Sequence, residues 1–201
     1  MRLGLFGGTF DPIHNAHLAV AREAADALKL QQVWFIPNAV PPHKEAGKQA
    51  SWEDRFRMVE LACEADPRFA ASRLERENRK SYTFHTLETV RNERGAGDEI
   101  FFLIGADAFA EIGIWYRKED VFTMVEFIVV SRPGHQYAVP PGARVHRLES
   151  LRMDVSSSEI RQRLEAGDST VPVPPAVLRY IEQNAIYRPP ARTAGTGLGA
   201  N

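Results

Sequence analysis

The segment Gly7-Gly8-Thr9-Phe10-Asp11-Pro12-Ile13-His14-Asn15-Ala16-His17 gathers more chemistry than any other stretch of this chain. Two glycines let a backbone approach a ligand closely. An apolar run before them and a helical pattern after them place the segment at a strand–helix junction. The first turn of a helix has N–H groups without intrahelical acceptors, at the positive end of the helix dipole, and therefore receives anions. His14 and His17 stand three apart, so if the first turn includes both they share a face. Together these residues predict a phosphate site with two imidazoles aimed at it. Taken singly, each has a plainer explanation, because glycines make turns and a lone histidine often hydrogen-bonds locally. Their conjunction beyond the carboxyl end of a strand, where open α/β sheets bind ligands, favours phosphate.

Two standard nucleotide motifs are excluded: neither G-x-G-x-x-G nor G-x-x-x-x-G-K-[ST] occurs. Zinc at His14-x-x-His17 is the weaker choice, since only the scattered His43, His85, His135 and His146 could supply a third ligand. No protein metal site is expected. Other residues carry two readings each. Ser156 and Glu159 have capping-box spacing, and such a helix start offers N–H groups and hydroxyls to phosphate with Arg161 nearby. The residues alone leave cap and phosphate site evenly matched. Asp107, following Gly105, is placed to take ribose hydroxyls or to cap a helix. Trp115 reads as core or rim packing. Lys44 reads as a solvated loop lysine, and Arg132 as part of an Arg-Pro-Gly turn.

The elements that must position these residues alternate in type. Leu3–Phe6, Val33–Ile36, Ile100–Ile104 and Phe127–Val130 read as buried strands. Between them, Ala16, Val20, Ala24 and Leu28 form one helical stripe. Ser51–Asp54 opens a second helix carrying Phe56, Val59 and Cys63, and a third runs from near Thr83 through Leu87 and Val90. Two capped helices follow, one stopped at Gly167 and one begun by Pro174-Pro175. Alternation of this kind predicts an α/β fold, a doubly wound parallel sheet with C-terminal helices, in one domain over residues 1–188. Residues 189–201 have little to bury and read as a disordered tail.

Bulk composition narrows the class. In 201 residues, 44% are hydrophobic and 25% charged, which excludes a wholly disordered or fibrous chain. Lys and Arg number 25 against 26 Asp and Glu, so a duplex-coating, nucleic-acid-binding role is disfavoured. No run approaches a membrane span, and no secretory leader is visible. A single cysteine, Cys63, suits a reducing compartment, so the expected location is cytoplasmic.

Gly7-Gly8-Thr9-Phe10-Asp11-Pro12-x-His14-x-x-His17 closely resembles the signature of adenylyltransferases that condense a mononucleotide with ATP, whose hallmark is H-x-G-H or T-x-G-H. Further segments in chain order resemble those of the bacterial nicotinate-mononucleotide adenylyltransferases: Pro41-Pro42-His43-Lys44, Ser81-Tyr82-Thr83-x-x-Thr86-Leu87, Gly105-Ala106-Asp107 with Trp115, Ser131–Gly134, and Val155–Arg161. The resemblance covers residues 1–188. Three positions depart from it: Ala16 replaces the motif glycine, Ser158 replaces a usual threonine, and His85 stands where relatives often have an acid.

The resemblance implies a Rossmann-like fold and adenylyl transfer from ATP to nicotinate mononucleotide, with Mg²⁺ entering on the ATP phosphates. It implies that His17, His14 and Arg161 carry catalysis. ATP would lie against Gly8, Thr9, Phe10, His14, His17, Gly105, Asp107, Arg132, Ser157 and Arg161. The mononucleotide would meet Asn38, Lys44, Thr83, Trp115 and Tyr116, with Trp115 stacking on the pyridine ring and backbone N–H groups near Thr83 and Tyr116 receiving the nicotinate carboxylate. Rival readings are a phosphopantetheine adenylyltransferase, a preference for nicotinamide mononucleotide, and a nucleotide-binding regulatory module without catalysis.

Overall fold

Valine, isoleucine, leucine and phenylalanine dominate the central strands, as strands covered on both faces require. The computed structural model describes residues 1–39, 49–76, 82–95, 97–151 and 155–187. Among these, β1 (Arg2–Gly8), β2 (Gln32–Pro37), β3 (Phe69–Ala71), β4 (Glu99–Gly105), β5 (Glu126–Ser131) and β6 (Val145–Glu149) form one sheet in the order β3-β2-β1-β4-β5-β6. Every neighbouring pair is parallel. The winding reverses between β1 and β4, so the crevice at their carboxyl ends is the topological switch point, where such sheets bind ligands. The Rossmann-like doubly wound sheet expected from the sequence is present.

The two edge strands were not anticipated. β3 has only three residues, and β6 mixes His146, Arg147 and Glu149 with two aliphatics. Short and charged edges resist pairing with other chains, and the same properties hide them from a search for apolar runs.

The helices are α1 (Asn15–Leu28), α2 (Trp52–Cys63), α3 (Thr83–Arg94), α4 (Ala106–Ala110), α5 (Lys118–Met124), α6 (Ser157–Glu165) and α7 (Pro175–Gln183), with a 3-10 turn at Ile112–Ile114. Helices α1, α2, α6 and α7 cover one face of the sheet, in a cluster that includes Val20, Val59, Ile160 and Ile181. Helices α3, α4 and α5 cover the other through Leu87, Phe109 and Val121. Both serine caps form: Ser51 Oγ accepts from Asp54 N at 3.1 Å, and Ser156 Oγ from Glu159 N at 3.2 Å. Each stabilises its helix by about 1 kcal/mol. Gly167, at φ +83°, lies just past the end of α6, and Pro175 opens α7. No helix among the described residues is long and apolar enough to cross a membrane. Pro41, Pro42, His43, Lys44, Ser81, the 188/189 boundary and the tail 189–201 lie outside the described residues.

Candidate active site

Helix α1 starts at the carboxyl end of β1, and its first turn holds both histidines. His14 is the N-cap, in an extended conformation at φ −140° and ψ 170°, and its carbonyl accepts from His17 N at 3.0 Å. Its own N–H donates back to His17 Nδ1 at 3.3 Å. The two imidazoles stack with centroids 3.6 Å apart and planes at 20°. Phe10 meets the His17 ring edge-on at 5.1 Å and fixes the pair from below. Because His17 Nδ1 accepts a hydrogen bond, a neutral ring carries its proton on Nε2, which is then a donor. Burial lowers His14 from its ordinary pKa to about 4. Burial, and then the neighbouring His14, hold His17 well below its ordinary value. In the protein alone both rings are therefore neutral near pH 7.

Three side chains from elsewhere in the chain donate to backbone carbonyls of the loop between β1 and α1. Arg55, on α2 and only 1% exposed, donates to Thr9 O at 2.7 Å and to Asn38 O at 2.9 Å. Arg161 Nη1 donates to Asp11 O at 2.6 Å, and Ser157 Oγ to Pro12 O at 3.0 Å. The buried Asp11 carboxylate accepts from Tyr187 Oη at 2.5 Å and from Ala50 N at 3.0 Å, and lies 3.5 Å from Arg161. Burial and that carboxylate push the Tyr187 hydroxyl up, so it remains a donor. Gly8 admits no side chain, because a Cβ there would sit 2.9 Å from the buried Phe10 ring.

Two cavities open at the switch point. The first, about 310 Å³, is lined by His14, Ala16, His17, Val155 and Ser157 among others. The second, about 220 Å³, is lined by Asn38, Glu75, Thr83, Thr86 and Trp115 among others. Phe6, Ile104 and Gly105 line both, so the cavities meet across the ends of β1 and β4.

The sequence-derived candidates fall into groups. His14, His17, Gly105 and Ser157 line the first cavity, and Asn38, Thr83, Trp115 and again Gly105 the second. Thr83 is the first residue of α3, so its N–H has no intrahelical acceptor. Trp115 and Phe102, in a T-shaped contact at 5.9 Å, both line the second cavity. Gly8 ends β1, and Thr9 and Phe10 begin the loop that follows it, Phe10 as buried packing. Arg161 sits behind the loop on Asp11. Asp107, Tyr116 and Arg132 are exposed at the ends of β4, the 3-10 turn and β5. Asp107 is not a helix cap: Gly105 holds that position in α4. Lys44 lies outside the described residues.

The profile of the cytidylyltransferase-like family matches residues 5–163. A protein of Solibacter usitatus named "Probable nicotinate-nucleotide adenylyltransferase" is 52% identical over 187 residues, covering 93% of this chain and 100% of its own. The chain belongs to the nicotinate-nucleotide adenylyltransferase family. An Exiguobacterium sibiricum protein of the same name is 41% identical over 189 residues, covering 93% of this chain and 99% of its own. In fold this adenylyltransferase resembles the nicotinic acid mononucleotide adenylyltransferase of Plasmodium falciparum solved with NaAD. Their TM-score is 0.74 at 18% identity, over 92% of this chain and 97% of the other.

Arg55, Glu75 and Tyr187 escaped the sequence reading of this family member. Arg55 left a usable signal, since it shares the stripe of Val59 and Ala62 on α2, and a charge on an apolar stripe marks a buried, paired group. Tyr187 left none, being 176 positions from its partner Asp11.

Proposed function

We propose that this protein transfers the adenylyl group of ATP to nicotinate mononucleotide, forming nicotinate adenine dinucleotide and pyrophosphate in NAD biosynthesis. The observation that carries this reading is the pair of cavities meeting at Phe6, Ile104 and Gly105, the larger holding two histidines and the smaller a tryptophan. ATP takes the larger and the mononucleotide the smaller, so the two phosphates meet where the cavities join.

An oxygen of the mononucleotide phosphate attacks the ATP α-phosphorus in line. The new O–P bond forms as the bond to the β-phosphate oxygen breaks, and pyrophosphate leaves with that electron pair. The nucleophile is already an anion, so neither a base nor a covalent intermediate is required, and positioning and charge stabilisation supply the rate. His17 Nε2–H donates to the α-phosphate, with His14 beside it. Ser157, at the start of α6, and Arg161 take the departing phosphates, Gly8, Thr9 and Phe10 support the chain of phosphates, and Gly105, Asp107 and Arg132 face the nucleoside. Asn38, Lys44, Thr83, Trp115 and Tyr116 hold the mononucleotide, and backbone N–H groups select the nicotinate carboxylate. Among the described residues no group of three or more His, Cys, Asp or Glu could hold a metal. Mg²⁺ would enter with the ATP phosphates and would supply positive charge against the repulsion between the two polyanions. The lone, buried Cys63 supports a cytoplasmic setting.

Purified protein with Mg-ATP is offered nicotinate mononucleotide, nicotinamide mononucleotide or phosphopantetheine while pyrophosphate release is followed. Release fastest with nicotinate mononucleotide is expected. Release with phosphopantetheine alone overturns the assignment, and silence with all three points to a regulatory nucleotide-binding module.

A further inference from the structure

Glu75 stands in the turn after β3 and reaches the wall of the smaller cavity. Its Oε1 accepts from Thr86 Oγ1 at 2.7 Å, and Thr86, on the first turns of α3, lines the same cavity. Its Oε2 is shielded from solvent and has no hydrogen-bond partner among the described residues. A carboxylate offers about four acceptor positions, and an oxygen removed from water without a donor is destabilising by roughly 1–3 kcal/mol or more. A group kept in that condition on a ligand cavity is matched to a donor that the ligand brings.

The ligand's chemistry narrows that donor. Resting on the reading that this cavity holds nicotinate mononucleotide, the ligand has an anionic carboxylate at one end and an ionised phosphate at the other. Its neutral donors are the two ribose hydroxyls. The ends also have other partners: the pyridine ring and carboxylate go to Trp115 and the N–H of Thr83, and the phosphate goes toward Gly105 and the histidines. Between them lies the ribose, and Glu75, Thr86 and Asn38 line the same cavity as the groups assigned to the two ends. A carboxylate repels the nicotinate carboxylate and the phosphate, and the pyridinium nitrogen carries no hydrogen to donate, whereas a carboxylate accepts well from a hydroxyl.

We propose that Glu75 binds the mononucleotide ribose, its Oε2 accepting a hydrogen bond from the 2′- or 3′-hydroxyl. Thr86 is the positioning residue: by donating to Oε1 it holds the carboxylate and leaves Oε2 as the oxygen still without a donor among the described residues.

The test pairs Glu75→Gln with substrate analogues. The variant is isosteric and keeps an oxygen for Thr86. KM for nicotinate mononucleotide should rise roughly 10- to 100-fold, the range for a hydrogen bond to a charged group, while KM for ATP stays within about twofold. Wild-type protein should lose a similar factor with either the 2′-deoxy or the 3′-deoxy mononucleotide, and the variant should lose markedly less with that analogue, since the charged acceptor is gone and only a weaker amide N–H to hydroxyl contact can replace it. Full and independent penalties from variant and analogues would overturn the proposal, as would a lowered Tm with unchanged KM for the mononucleotide. If Glu75→Gln does not fold, Glu75→Asp, which withdraws the oxygen by one methylene, is read on the same cycle. Wild-type protein inactive toward nicotinate mononucleotide would instead remove the underlying reading, and this proposal with it.

Discussion

The imidazole of His14 lies flat against that of His17, 3.6 Å between centroids, in a setting that favours neither ring's charged form. Two imidazolium ions could not share this space, so a proton on one opposes a proton on the other. Folding stability should follow. An unfolded histidine titrates near 6.5, whereas His14 in the fold titrates at about 4. Between those values the unfolded chain binds more protons, so stability rises with pH across the window. It is fully present above about pH 6.5 and is lost as pH falls toward 4, by about 3 kcal/mol at most from His14. Urea unfolding between pH 7 and pH 4 measures the slope. His14→Asn should flatten it, and an unchanged slope in that variant would exclude His14 as its source.

Phosphate reverses the balance at this pair. An anion beside the rings favours the charged form, so ATP binding should be accompanied by proton uptake near neutral pH. Calorimetric titration in two buffers of different ionisation enthalpy reads the number of protons directly. Uptake of a fraction of a proton up to one is expected. Identical heats in both buffers would mean that the pair stays neutral and acts through Nε2–H alone.

His17→Ala should lower kcat by roughly 10²–10³-fold, the scale for losing one preorganised donor to developing charge, and should change KM for the mononucleotide little. Steady-state pyrophosphate release over both substrate concentrations separates the two parameters. Near-normal turnover would take His17 out of the role assigned to it.

The parts legible in the sequence are those with a local signature. Four apolar runs became β1, β2, β4 and β5, and the serine caps and the proline start became α2, α6 and α7. His14 and His17 were readable because three positions on one helix start put them on one face. Edge strands β3 and β6 were not readable, since edges are selected to be short or polar. The network around Asp11 was invisible for a different reason. Its members Ala50, Arg161 and Tyr187 come from distant positions, and only the tertiary fold joins them. The near-neutral total charge likewise conceals that Arg55 and Arg161 are both directed at one loop.

Arg55 gives the sharpest stability test of that loop. One planar guanidinium spans the carbonyls of Thr9 and Asn38, tying the end of β1 to the end of β2 at a fixed spacing. Burial alone lowers its pKa, and the facing Asp11 carboxylate partly restores the charged form. Arg55→Met keeps much of the volume but leaves two carbonyls without donors and Asp11 with one cation fewer. A loss of about 3–5 kcal/mol is expected, the range for removing one partner of a buried ionic contact. Arg55→Lys keeps the charge but cannot reach both carbonyls in one plane, so an intermediate loss is expected. Urea midpoints at pH 7 for the three proteins check the order. Equal stability of Arg55→Lys and wild type would show that charge, and not the planar bridge between Thr9 and Asn38, is what the loop requires.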